Sequence, residues 1–196
     1  MMKKLLITGF DPFGGETVNP SWEAVRLLPE RIGEYDLIKL QIPTEFSRAS
    51  EAVLMAAEAL QPDAILCVGQ AGGRAGITPE VVGINLREAR IPDNGGAQPV
   101  NEPVVKNGPA AYFATLPVRE MVKALSDHGI PASLSYSAGA FVCNDVLYSV
   151  LHRYSGTRTM AGFVHVPFLP EQAKEGVASM ALETIAEALE IAIEQM

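Results

Sequence analysis

Residues 35–68 read YDLIKLQIPTEFSRASEAVLMAAEALQPDAILCV, and this stretch decides the fold class. Tyr35 to Ile42 is a short apolar run that reads as a strand. Phe46 to Leu60 carries Val53, Leu54, Ala57 and Leu60 at helical spacing, which predicts an amphipathic helix. Asp63 to Val68 is again a short apolar run, read as a central strand. Strand, helix and strand in succession are the signature of an α/β domain.

The same alternation extends in both directions. Upstream, Lys4 to Thr8 reads as a buried strand. Asn19 is placed to cap a helix that begins at Pro20 and runs to about Leu28. Downstream, Val81 to Glu88 alternates like a half-buried strand, one arm of a hairpin extension. Arg90 to Asn107 is rich in Gly, Pro and Asn and reads as a long loop, a class that is usually functional in compact domains. A helix from Val118 to His128, a strand from Ser133 to Ser137, a helix from Phe141 to Tyr154, a strand from Met160 to Val166 and a helix from Glu171 to Glu194 complete the chain. The expected architecture is a three-layer α/β/α arrangement with a mostly parallel central sheet. Its 196 residues fit a single domain, 1–196.

Composition narrows the function classes. The net charge of −8 and the absence of a basic stripe argue against nucleic-acid binding. No apolar run approaches membrane-spanning length. The apolar start of the chain is broken by Gly9, Asp11 and Pro12 before a signal-peptide core can form. Two cysteines are too few for a disulfide scaffold. The expectation is a cytoplasmic protein with reduced thiols. No Cys/His cluster has zinc spacing, and neither glycine-rich loop fits a nucleotide-binding pattern. No metal or cofactor is expected.

In sheets of this kind ligands bind beyond the carboxyl ends of the strands. Phe10 to Gly15 follows the first strand, Gly69 to Arg74 the third, Cys143 the run ending at Ser137, and His165 ends the last strand. Cys143 stands out chemically. The small-residue turn Ser137-Ala138-Gly139-Ala140 places it in the first turn of a helix, where free N–H groups and the helix dipole favour a thiolate and can bind an oxyanion. Taken locally, it is either a nucleophile or a small core residue. Cys67, within Ala64 to Val68, reads as an inert core thiol. A thiol nucleophile needs a base. Of three histidines, His128 sits at a helix end, and His152 is nine residues along the cysteine's own helix, turned to its far side. His165 is left, as the base or as a satisfied core histidine.

Five segments together resemble the pyroglutamyl peptidase I family, also called pyrrolidone-carboxylate peptidases. They are Thr8 to Gly15 with Asn19-Pro20-Ser21; Gly69 to Arg74 with Ile77 to Glu80; Ala89 to Asn94; Ser137-Ala138-Gly139 with Phe141 to Asn144; and His165 to Pro170. They span most of the chain. Ala140, where the family often has Thr, and the Ala75-Gly76 pair depart from the pattern without replacing a catalytic position. The resemblance implies a Cys143–His165–Glu80 triad, with Glu80 orienting the imidazole. It implies Arg90 near the oxyanion site. It also implies a pocket lined by Phe10, Phe13 and Phe141, with Gln70 or its loop pairing with the lactam. The implied substrates are N-terminally pyroglutamylated peptides, and the implied assembly is a homo-tetramer. Two rivals remain at this point: another enzyme on a similar scaffold, such as a nucleoside phosphorylase, and a non-catalytic binding protein.

Overall fold

The computed structural model describes residues 2–196. Four strands form the centre: β1 (Lys3–Phe10), β3 (Tyr35–Ile42), β4 (Ala64–Gln70) and β8 (Met160–Val166), after the short β2 (Arg31–Ile32). β5 (Thr78–Pro79) follows β4, and β6 (Val82–Ile84) pairs with β7 (Ala111–Phe113) in a separate two-stranded antiparallel ribbon. The helices are α1 (Pro20–Leu27), α2 (Arg48–Leu60), α3 (Val118–Asp127), α4 (Val142–Tyr154) and α5 (Leu182–Ile193). The main sheet has the order β2-β3-β1-β4-β8-β5; β3, β1, β4 and β8 are mutually parallel, and the outer β2 and β5 run antiparallel to their neighbours.

Near-continuous burial of β1, β4 and β8 has a direct cause, since a parallel strand is covered on both faces. Successive residues point to opposite faces. Ala64, Leu66 and Val68 of β4 join the core under α1, α3 and α5, while Ile65 and Cys67 join the core under α2 and α4. Each fully buried aliphatic side chain stabilises by about 1.5–3 kcal/mol, and both layers are held this way. The α/β/α expectation is met. Among the described residues, no helix is long and apolar enough to cross a membrane.

Three local expectations need correction. The run Ser133 to Ser137 is not a sheet strand. It lies parallel to residues 77–81 and touches them at two isolated bridges, Ile77 with Ala132 and Glu80 with Ser135. Bonds run from Ile77 N to Pro131 O, Ser133 N to Ile77 O, Ser135 N to Pro79 O and Val81 N to Ser135 O. The missing rung is the one that Pro79 would donate, and proline has no N–H. The C-terminal helix is shorter than expected: 171–181 forms turns through Gly176 (φ 79°) and a bridge from Phe168 to Ser179 before α5 begins. β1 extends to Phe10, two residues beyond the expected end.

Candidate active site

The site is built where β4 and β8 end, under the first turn of α4. β5 supplies its least obvious member. Thr78 pairs antiparallel with His165 and Pro79 with Val164, and Glu80 N donates to Phe163 O at 2.9 Å. That hook brings a carboxylate 85 residues away in sequence onto the imidazole: His165 Nδ1 donates to Glu80 Oε1 at 2.7 Å. Both side chains are buried. With Nδ1 as the donor, Nε2 is the nitrogen left to exchange protons.

Cys143 is the second residue of α4, after the N-cap Phe141. A phenylalanine has no side-chain acceptor, so this helix start carries no side-chain cap. Asp145 N bonds back to Phe141 O, whereas the N–H groups of Val142, Cys143 and Asn144 have no acceptor among the described residues. These are the free donors that an uncapped helix start leaves. Gly139 enters this turn at φ 76°, a conformation suited to glycine. The Cys143 sulfur lies against Gly69, where a Cβ would come 3.0 Å from Sγ and 2.7 Å from the Phe163 ring. Gly69 is the register partner of His165, so the gap left by its missing side chain seats the thiol beside the histidine's strand position.

The next two residues of α4 fix that position. Asn144 is fully buried, donates to the Ile84 and Leu86 carbonyls at 2.9 and 3.0 Å, and accepts from Ile84 N at 3.0 Å. Asp145, also buried, pairs with Arg87 Nε at 2.6 Å and accepts from Ser47 N and Ser50 Oγ. The sequence reading quoted Asn144 within the cysteine motif but gave neither residue a task. Inward-facing polar side chains directly after a candidate nucleophile were the available signal.

The electrostatics revise one expectation. Burial pushes the Cys143 thiol up to about 12, and the Glu80 charge adds to this; Arg74 pulls the other way without prevailing. This shift favours a protonated thiol at rest over the thiolate that the helix start alone would favour. Burial also holds His165 below its ordinary value, against the raising effect of Glu80. Burial works to raise Glu80, but the bond and charge of His165 and further bonds, Arg74's among them, outweigh it and hold the carboxyl below its usual range. Together these directions favour thiol, neutral imidazole and carboxylate at rest.

A cavity of about 460 Å³ contains Cys143 and His165 on its wall, together with Phe13, Gln70, Arg74, Glu88, Arg90, Ile91 and Phe141. Phe13 and Phe141 stand 6.2 Å apart, and Phe46 meets Phe141 edge-on at 5.2 Å. Gln70 Oε1 accepts from Gln172 Nε2 at 3.1 Å. Arg90 is exposed at the wall and has no ion-pair partner among the described residues. Phe10 does not line the cavity. Because β1 runs through Phe10, its ring lies on the sheet face, 2 % exposed and 6.2 Å from Phe163, in the core behind the site. Arg74 was read in the segment after the third strand but given no task here. A larger, shallower depression alongside, lined by residues of 74–78 and 131–137, contains neither Cys143 nor His165.

The pyroglutamyl peptidase family profile matches residues 3–196. The chain belongs to the pyroglutamyl peptidase family. It is 52% identical over 197 residues to a pyrrolidone-carboxylate peptidase of Enterococcus faecalis, covering 97% of this chain and 92% of that protein. A pyrrolidone-carboxylate peptidase of Bacillus cereus is 51% identical over 198 residues, covering 98% and 92%. The crystal structure of pyroglutamyl peptidase I from Bacillus amyloliquefaciens superposes with a TM-score of 0.94 at 50% identity, covering 98% of this chain and 96% of that one. A mutant pyrrolidone carboxyl peptidase from Pyrococcus furiosus does so with 0.93 at 40% identity, covering 98% and 97%. Membership of a pyroglutamyl peptidase family sets aside the nucleoside-phosphorylase reading.

Proposed function

We propose that Cys143, His165 and Glu80 act as nucleophile, base and orienting carboxylate in the hydrolysis of the amide bond after an N-terminal pyroglutamyl residue. The activity is that of a cysteine-type exopeptidase, a pyroglutamyl peptidase, carried by the chain as one domain. The observation that carries the assignment is the buried His165–Glu80 pair and the Cys143 thiol, at an uncapped helix start, meeting one cavity. An intact set of this kind also counts against a purely binding role.

In this reading His165 Nε2 takes the Cys143 proton as sulfur forms a bond to the substrate carbonyl carbon. The carbonyl oxygen becomes an oxyanion, held by the free N–H groups of the first turn of α4 with Arg90 nearby. Collapse breaks the C–N bond, and the proton on Nε2 leaves with the amine. Water then gives a proton to His165, attacks the thioester carbon and releases pyroglutamate and the thiol. Phe13 and Phe141 form the apolar walls for a flat, neutral lactam, and Gln70 or its loop backbone pairs with the ring amide. Phe10 supports this wall from behind.

A charged N-terminal amine would enter such a slot unpaired, which costs several kcal/mol. Matched pyroglutamyl, glutaminyl and prolyl chromogenic amides test the reading, and kcat/KM should favour the first by about 10⁴, the range by which a hydrogen-bonding site rejects analogues lacking the bonded group. Comparable values for all three overturn the lactam pocket. The reading extends to a cytoplasmic homo-tetramer. Exposed Phe113 and Met55 offer apolar surface that assembly would cover, and sedimentation velocity tests it.

A further inference from the structure

Glu80 holds more than the imidazole. Its Oε1 accepts from His165 Nδ1 at 2.7 Å and also from Arg74 Nη1 at 2.9 Å. The same guanidinium is fixed twice more, by Thr78 Oγ1 2.5 Å from Nη1 and by the Ser137 carbonyl 3.1 Å from Nη2. One side chain thus ties together the glycine-rich turn after β4, the β5 hook and the turn that leads into α4.

The arrangement answers an electrostatic problem. A carboxylate with no exposed surface costs several kcal/mol to keep ionised unless it is paired. In the rest state His165 is neutral and supplies only a hydrogen bond. Among the described residues, Arg74 is the one permanent cation that makes an ion pair with Glu80.

We infer that Arg74 is a positioning residue for the reaction: it keeps Glu80 ionised and aimed at His165 Nδ1, so that Nε2 stays free for the thiol. The inference rests on the triad reading given above. It has a further consequence. His165 bonds Glu80, just after β5; Arg74 in the turn after β4 pairs with that carboxylate, and the Cys143 sulfur lies against Gly69, the register partner of His165; Glu88 and Arg90 lie elsewhere on the cavity wall. The charge of Arg74 therefore opposes protonation of the Glu80–His165 pair, whichever member takes the proton, and favours ionised sulfur.

The test compares kcat and KM against pH for wild type, Arg74→Gln, Arg74→Lys, Glu80→Gln and Cys143→Ala, using a chromogenic pyroglutamyl amide. Arg74→Gln should lower kcat about 10- to 100-fold, the usual cost of losing an orienting partner, with KM nearly unchanged. It should also move the acid limb of the profile upward by about one pH unit, because a neighbouring cation has gone. Alkylation of Cys143 by iodoacetamide should slow at a given pH. Arg74→Lys should restore the limb, which depends on charge, and only part of kcat, which depends on the forked geometry.

Wild-type kcat and limb in Arg74→Gln, beside an impaired Glu80→Gln, overturn the role of Arg74 and leave the triad standing. A loss confined to KM with an unmoved limb also overturns it, by making Arg74 a substrate contact. Should Arg74→Gln not fold, Arg74→Lys decides: wild-type kcat there removes the geometric claim. Turnover retained by Cys143→Ala overturns the triad and this inference together.

Discussion

The two cysteines share one sheet face and one electrostatic direction, yet they differ in what surrounds them. Burial pushes both thiols up to about 12. Cys67 is 1 % exposed in the middle of β4, with Thr8 as its register partner on β1 and core on every side. Cys143 is two residues into a helix, over the side chain that Gly69 lacks, and on the wall of a cavity shared with His165. A displaced thiol pKa therefore does not separate the proposed nucleophile from the core thiol. Access, a histidine on the strand beside Gly69 and free backbone donors do.

The sharpest way to break that contrast is to remove each sulfur in turn. Cys143→Ala should lower kcat by about 10⁴-fold or more, as loss of a nucleophile that acts within a unit does, while Cys67→Ala should stay within about twofold of wild type, as a core change remote from the chemistry does. Inactivation of Cys67→Ala without unfolding would erase the distinction. His165→Ala should fall nearly as far as Cys143→Ala, and the double variant should add little to either, measured as kcat on the same pyroglutamyl amide.

The pH profile sharpens the contrast from the side of the base. In the proposed mechanism His165 works as the neutral imidazole, and burial holds it below its ordinary value of 6.5. Activity should be flat just above pH 6.5 and fall only as the pH drops below it. Stability should move in the same sense. The unfolded chain takes up a proton at His165 near 6.5 where the folded chain does not, so folding stability declines as pH falls through that region. Glu80, held below 4.5, adds a further loss at lower pH. A limb above 6.5 would show that the imidazole is not the base that the pair predicts. The smallest expected effect is on stability: Cys67→Ala should cost about 1 kcal/mol in a urea titration, typical of a modest core truncation.

The sequence made the Cys143 side of the site legible and the Glu80 side far less so, for a physical reason. A small-residue turn before a helix is a local pattern, and a histidine at a strand end is a periodic one. Glu80 reaches His165 only through β5, a two-residue antiparallel hook containing a proline, and so short a strand leaves no periodicity to read. Only the family resemblance pointed to it. Arg74 was quoted as part of a motif but given no task, because its partners lie in β5 and in the turn before α4. The parallel layers were readable because burial on both faces writes long apolar runs. The run 133–137 misled because its composition suits a strand, while the rung it lacks is lost through Pro79 on the neighbouring segment.

The first turn of α4 also has a history in time. Asn144 bonds a segment 60 residues earlier, and Asp145 bonds Ser47, 98 residues earlier. Contacts of such sequence separation close slowly, because loop entropy is lost before they form. The thiol is therefore set at the cavity wall only after distant parts of the chain have docked, and a refolding sample should recover helical circular dichroism ahead of peptidase activity. A nascent or half-folded chain would carry the proposed nucleophile without the power to use it.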